Sequence, residues 1–253
     1  MASPIQLSVE FFPKLQKLTN LSEKELINIT NLDLSQKKLT DEKIQDLISE
    51  ILQLKKLTWL NLNNNDISSI PHEMCQMTGL ETLYLASNKL LSIPPKIGEM
   101  TGLEMLNLFS NQLSSIPPEI GEMTGLKKLD LAYNKISSIP PEICQMTGLE
   151  ILYLARNKLI SIPHEICQMT GLKILDLFNN QLISIPHKMF QMTGLEMLYL
   201  SDNDISSIPH EMCQMTGLKM LDLNQNPKLP TEMQKDFYDN SLSDLFTILR
   251  CRG

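Results

Sequence analysis

The sequence predicts an α/β solenoid: a right-handed horseshoe with a parallel β-sheet on the concave face, short helical or 3-10 turns on the convex face, and helical caps at both ends. Two observations and one constraint carry this. A unit of 23 residues recurs, starting at Leu57, Leu80, Leu103, Leu126, Leu149, Leu172, Leu195 and Leu218. Leucine fills the first, fourth and sixth places of all eight copies, and asparagine the ninth, from Asn65 through Asn88, Asn111, Asn134, Asn157, Asn180 and Asn203 to Asn226. The constraint is that one such unit cannot bury its own leucines, whereas stacked units bury a continuous column of them.

In chain order, residues 1–56 read as an N-terminal helical cap with one degenerate, longer repeat. Phe11, Phe12, Leu15 and Leu18 suggest helix, as does the capping-box pattern from Ser22 to Glu25. Residues 29–39 look like a first strand with Lys37 in the asparagine place. Thr40 then suits an N-cap, Asp41 and Glu42 a first helical turn, and Ile44, Leu47, Ile48, Ile51 and Leu52 one apolar face. Residues 57–226 are the eight units. In each, Leu-x-Leu has the period of a strand with both leucines inward, and asparagine can satisfy backbone groups as the chain turns away. Ile-Pro breaks the ladder and opens a short turn, and the glycine of Met-Thr-Gly is expected to supply a conformationally permissive turn. Residues 227–253 form the other cap: Asn240 or Ser241 would start a helix carrying Leu242, Leu245, Phe246, Ile248 and Leu249.

With its LxxLxLxxNxLxxIPxxI form, the stretch from residue 57 to about 229 resembles the leucine-rich repeat family. It is most similar to the cytosolic repeats of Ras-associated scaffold and adaptor proteins. The resemblance implies a solenoid fold and a recognition task, with small GTPases, phosphatases or kinase-pathway proteins as candidate partners.

Composition narrows the function classes. With 22 basic and 29 acidic residues the net charge is −7, which disfavours a nucleic-acid binder, because that affinity comes from clustered cations. No apolar stretch is long enough to span a membrane, and the opening residues lack a basic region followed by an apolar one, so a cytoplasmic protein is expected. Five cysteines form no CxxC pair; Cys75, Cys144, Cys167 and Cys213 share a column with Gly98, Gly121 and Phe190, which suggests free structural thiols. His72, His164, His187 and His210 share another column, a row that offers pairs rather than a metal site. No phosphate loop or hydrolase motif occurs, so neither an enzyme nor a cofactor is expected.

Residues flanking the inward leucines should face the concave side. There the sequence places Trp59, Tyr84, Met105, Phe109, Asp130, Tyr133, Tyr153, Arg156, Asp176, Phe178, Tyr199, Asp202 and Asp222. Folding does not require this surface to be aromatic, and its composition is that of a protein interface. Lateral packing that stiffens the sheet would use the same rings. The expected function is therefore a monomeric, non-enzymatic interaction module whose concave face takes a folded domain or peptide, as scaffold or adaptor in intracellular signalling. Two alternatives stand beside it: an inhibitor masking a partner enzyme, with the aspartates steering a basic surface, and a structural or self-associating protein. At place two, glutamate and lysine alternate from Glu104 onward, which favours ion pairs between neighbouring strands.

Overall fold

The computed structural model describes residues 12–238 together with Leu242 and Leu245. Ten short strands form one sheet in chain order. They are β1 (Asn31–Asp33), β2 (Trp59–Asn61), β3 (Thr82–Tyr84), β4 (Met105–Asn107), β5 (Lys128–Asp130), β6 (Ile151–Tyr153), β7 (Ile174–Asp176), β8 (Met197–Tyr199), β9 (Met220–Asp222) and β10 (Asp236–Tyr238). The first nine are parallel and stacked place for place, so that Leu106 pairs with Leu129 and Leu129 with Leu152. Each of the nine parallel strands has a buried leucine at its centre, and in β2 to β9 the two neighbours are half-buried, as period two requires, whereas those of β1 are exposed. Short 3-10 segments such as Pro118–Glu122 and Pro141–Gln145 return the chain along the convex side, each following a proline. Their Ile120 and Ile143 are fully buried and close the core from behind.

The ninth-place asparagine joins each repeat to the one before it. Asn134 Nδ2 donates to Leu131 O in its own bend and to Leu108 O of the preceding repeat, both at 3.0 Å. Its Oδ1 accepts from Leu113 N at 3.0 Å. The same set recurs at Asn88, Asn111, Asn157 and Asn203. Most of these side chains are buried, where an unpaired amide or carbonyl is costly.

The glycine expectation needs correcting. No glycine among the described residues has a positive φ. What Gly102 requires is room: a Cβ there would lie 2.3 Å from Thr78 O of the repeat before, and at Gly217 it would lie 2.1 Å from Thr193 O. At Gly79 nothing lies within 4 Å. Left-handed backbone falls instead at place eight, where Asn64, Ser87, Ser110, Tyr133, Arg156, Asn179, Asp202 and Gln225 have φ between 51° and 58°.

At the N-terminus, α1 (Pro13–Thr19), α2 (Glu23–Asn28) and α3 (Asp41–Ile51) form the expected cap. Ser22 and Glu25 make the capping box, and Thr40 Oγ1 accepts from Lys43 N. Phe12, which precedes α1, supplies no side-chain cap; instead the buried Glu50 of α3 accepts from Leu15 N at 2.8 Å and Lys14 N at 3.2 Å. Phe11 lies outside the described residues. At the other end, the tail is not helix throughout: before it, β10 runs antiparallel to β9, pairing Phe237 with Leu221. Leu242 and Leu245 are helical and buried, while Asn240, Ser241, Phe246, Ile248 and Leu249 lie outside the described residues. The expected lateral ion pairs are present: Lys127–Glu104 at 2.9 Å, Lys173–Glu150 at 2.6 Å and Lys219–Glu196 at 2.7 Å.

Asn134→Ala should destabilise the chain by about 2–4 kcal/mol in urea unfolding, because it leaves the Leu113 amide unpaired and takes from the Leu108 and Leu131 carbonyls one of the two asparagine donors that each has. A loss below about 1 kcal/mol would contradict the ladder's role. The glycines should divide. Gly102→Ala should cost about 1–3 kcal/mol through overpacking, whereas Gly79→Ala should be neutral or stabilise by a few tenths of a kcal/mol by restricting the unfolded chain. Equal effects at both positions would refute the close-approach explanation.

Candidate functional site

The outward places of the strands form three groups. Near the N-terminus, Trp59 and Tyr84 meet edge to face with ring centroids 5.6 Å apart, and the Tyr84 hydroxyl donates to Met105 Sδ at 3.4 Å. Near the C-terminus, the Tyr199 hydroxyl reaches Met197 Sδ at 3.6 Å, Asp222 accepts from the Ser201 hydroxyl, and Asp202 accepts from the Asn179 amide. These contacts are lateral, within the sheet surface.

The middle group is concave. Phe109, Asp130, Ala132, Tyr133, Tyr153, Ala155, Asp176 and Phe178 line a hollow of about 270 Å³ spanning β4 to β7. Its depth comes from place seven, where the small Ala132 and Ala155 stand between the rings of Phe109 and Phe178. Phe109 and Tyr133 tilt together at 4.9 Å, and Tyr133 is 44% exposed. The Arg156 guanidinium lies 4.9 Å from the Tyr133 ring and 5.3 Å from the Phe178 ring, a cation held by two aromatic faces. Lys128 Nζ sits 5.3 Å from the Tyr153 ring.

The carboxylates are unusual in their surroundings. Asp130 Oδ1 accepts from Ala132 N at 3.1 Å, and Asp176 Oδ1 accepts from Phe178 N at 3.0 Å. Burial pushes the Asp130 carboxyl above its ordinary range, against the opposing pull of the Ala132 amide and Lys128. Burial raises Asp176 too, and the charges of Asp130 and Asp222 add to the shift. Tyr153, between the two, is also raised, first by burial and then by both aspartates.

Of the sequence-predicted residues, the hollow therefore gathers Phe109, Asp130, Tyr133, Tyr153, Asp176 and Phe178, with Arg156 stacked on its rim. Trp59, Tyr84 and Met105 stand apart on one side, and Tyr199, Asp202 and Asp222 on the other. Lys128, Ala132 and Ala155 were not singled out in the sequence. The signal for the alanines was present in column seven, as two small residues flanked by two phenylalanines. Tyr133, Arg156 and Asp202 project from left-handed backbone, so their directions are set by the bend rather than by strand alternation. On the convex side, His187 and His210 both approach Glu211, at 3.6 and 3.5 Å. Among the described residues, no three His, Cys, Asp or Glu side chains converge on a metal position, and no helix is long and apolar enough to cross a membrane.

A family profile described as a leucine-rich repeat region matches residues 12–135 and 119–250. The chain belongs to the leucine-rich repeat family. No curated protein sequence matches it significantly. Among solved structures it is similar to a leucine-rich repeat protein of Leptospira interrogans, with 31% identity, 89% of this chain and 61% of that one covered, and a TM-score of 0.71. It is also similar to the plant peptide hormone receptor RGFR1, solved in complex with RGF2, with 34% identity over 76% of this chain and 31% of the receptor, TM-score 0.66. An internalin of Listeria monocytogenes shares the fold at 22% identity, over 72% of this chain and 52% of the internalin, TM-score 0.64. The repeats described here thus span less than two thirds of each of these solved chains.

Asp130 and Asp176 yield a pH prediction. Their folded pKa values lie above the unfolded ones, so the native state binds protons more readily than the unfolded chain. The two groups therefore oppose folding at neutral pH, and the penalty is relieved as pH falls through the folded values towards the unfolded one. Asp176→Asn, which keeps an Oδ1 acceptor for Phe178 N, should raise the urea midpoint at pH 7 and lose that advantage near pH 3. A variant less stable than wild type at pH 7 would show that the carboxylate supports the fold.

Proposed function

We propose that this chain is a non-enzymatic interaction module that receives a protein partner on its concave face, with the hollow between β4 and β7 at the centre of contact. The observation that supports this most directly is the hollow itself. Its rings, its stacked arginine and its half-buried aspartates lie on the open face of a sheet whose core is already complete on the other side. Rigid aromatic anchors on a preformed surface lose little entropy on binding, which is how few side chains come to dominate an interface. Members of the leucine-rich repeat family commonly act as protein-interaction modules, and the RGFR1 complex is an instance among the similar structures. We extend the proposal to a scaffold or adaptor role in intracellular signalling and to a cytoplasmic setting, in which the buried free thiols of Cys75 and Cys144 would stay reduced.

The test is affinity capture from native-source lysate with the wild-type chain and with a variant carrying Tyr84→Ser, Tyr153→Ser and Tyr199→Ser. Partners retained by wild type and lost by a variant with unchanged circular dichroism are the expected result. The same partners on both would move the binding surface to the convex side or the caps.

A further inference from the structure

Place five of the repeats forms a row that crosses the strands in register: Asn107, Asp130, Tyr153, Asp176, Tyr199 and Asp222. A carboxylate therefore stands on every second strand, and at about 4.8 Å per strand the carboxylates recur about every 10 Å along the solenoid. The frame does not need these charges. At the same place in other repeats, Asn61 and Asn107 accept the same backbone bond through an amide oxygen, from Asn63 N at 3.0 Å and Phe109 N at 2.9 Å. Among the described residues no lysine, arginine or histidine forms an ion pair with Asp130, Asp176 or Asp222. The nearby cations lie on rings instead: Lys128 over Tyr153, Arg156 over Tyr133 and Phe178. Largely apolar rows flank the acidic one, with Met105, Ile151, Ile174 and Met197 at place three, where Lys128 interrupts them on β5, and Phe109 and Phe178 at place seven.

We propose that the concave face takes an amphipathic α-helix of its protein partner, lying along the solenoid axis, with lysine or arginine at i, i+7 and i+14 set against Asp130, Asp176 and Asp222. This rests on the concave-face reading above and names its partner's chemistry. Seven residues of helix rise about 10.5 Å and return to nearly the same face, which matches the carboxylate spacing. From place three to place seven a strand covers about 13 Å, close to the ~10–12 Å width of a helix with side chains. Apolar residues beside the basic stripe would then meet the methionine and isoleucine row on one side and the phenylalanines on the other. The raised carboxyls of Asp130 and Asp176 fit this arrangement, since a cation arriving at a half-buried carboxylate offsets, by its charge, the desolvation that raises it.

The test uses the full chain and a fluorescein-labelled, alanine-rich helical peptide of about 22 residues with lysine at i, i+7 and i+14 and leucines beside them. Three controls accompany it: glutamine for lysine, the same lysines dispersed to different helix faces, and a Lys-Pro-Pro repeat. That last peptide carries its charges about every 9 Å without a helix. In fluorescence anisotropy at low salt, the spaced-lysine helix should bind about tenfold or more tightly than any control, and its affinity should fall steeply with ionic strength. Asp176→Asn and Asp130→Asn should each weaken it about three- to tenfold, and Glu150→Gln on the outer row should leave it unchanged. Equal binding of the dispersed-lysine helix, or no effect of either aspartate variant, overturns the proposal. Equal or tighter binding of the Lys-Pro-Pro peptide overturns the helical occupant. The failures separate cleanly: partner capture lost in the tyrosine variant but intact in both aspartate variants removes the basic helix and keeps the concave interface, whereas capture intact in all of them removes the concave interface itself.

Discussion

At the bend after each strand the chain leaves the ladder, and its carbonyls would be stranded inside the coil without the buried amide at place nine. That amide has enough donors and acceptors to serve two repeats at once, since Asn134 binds carbonyls of its own bend and of the previous one and takes an amide proton in return. This fixes the register of neighbouring bends but not the repeat length, because residues inserted on the convex side leave one bend within reach of the next: Asn65 Nδ2 still donates to Leu34 O at 2.9 Å. The long first unit keeps the rule by placing its extra residues in α3, and Asn65 adapts by accepting from both Lys37 N and Leu39 N. Among the described residues no repeat precedes Lys37, so its side chain has no earlier bend there to serve.

What the sequence could disclose was whatever repeats at a fixed offset or acts within a few residues. The leucine and asparagine columns, the proline-led convex turns, the Ser22–Glu25 box and the glutamate–lysine pairs are of that kind, and each is where the periodicity places it. Features that depend on a distance between distant atoms were not legible. The closing glycine looks like a turn residue in one repeat, and only the neighbouring repeat's Thr78 carbonyl reveals that Gly102 is there for lack of a Cβ. Place eight hides its left-handed backbone because it carries Asn, Ser, Tyr, Arg, Asp or Gln and never glycine. Strand β10 has no leucine signature, and its antiparallel pairing with β9 is a long-range contact that no repeat column announces. Likewise Asp41 reads as an acidic first-turn residue, yet its carboxylate also takes the amides of Ser68 and Ser69 and ties α3 to the next repeat.

The candidate site was legible as columns but not as a cluster. Alternation put the aromatics and aspartates on one face, which is correct for every strand residue named. It could not say that Trp59 and Tyr84 would satisfy each other, or that two alanines would open a hollow between Phe109 and Phe178. Grouping arises from side-chain volume at neighbouring repeats, a cross-strand property that a reading along one repeat does not see.

The left-handed residues connect the frame to the surface. Tyr133 at φ 58° and Arg156 at φ 54° occupy a conformation that bulky side chains rarely adopt, and such strain persists only where the surroundings over-determine it. Here they do: Tyr133 N donates to Ala155 O at 2.8 Å, Arg156 N to Phe178 O at 2.7 Å, and the buried asparagines follow immediately in the chain. The ladder that holds the repeats together therefore also aims the tyrosine ring and the guanidinium at each other. A stack held from beneath by backbone hydrogen bonds is largely ordered before any partner arrives, so its rings can contribute to binding with little further loss of freedom. The half-buried aspartates differ in kind, because an asparagine does their structural work in other repeats and their charge opposes folding at neutral pH. A frame so regular that it tolerates this penalty at Asp130 and Asp176 leaves the concave face free to carry charge for recognition rather than for stability.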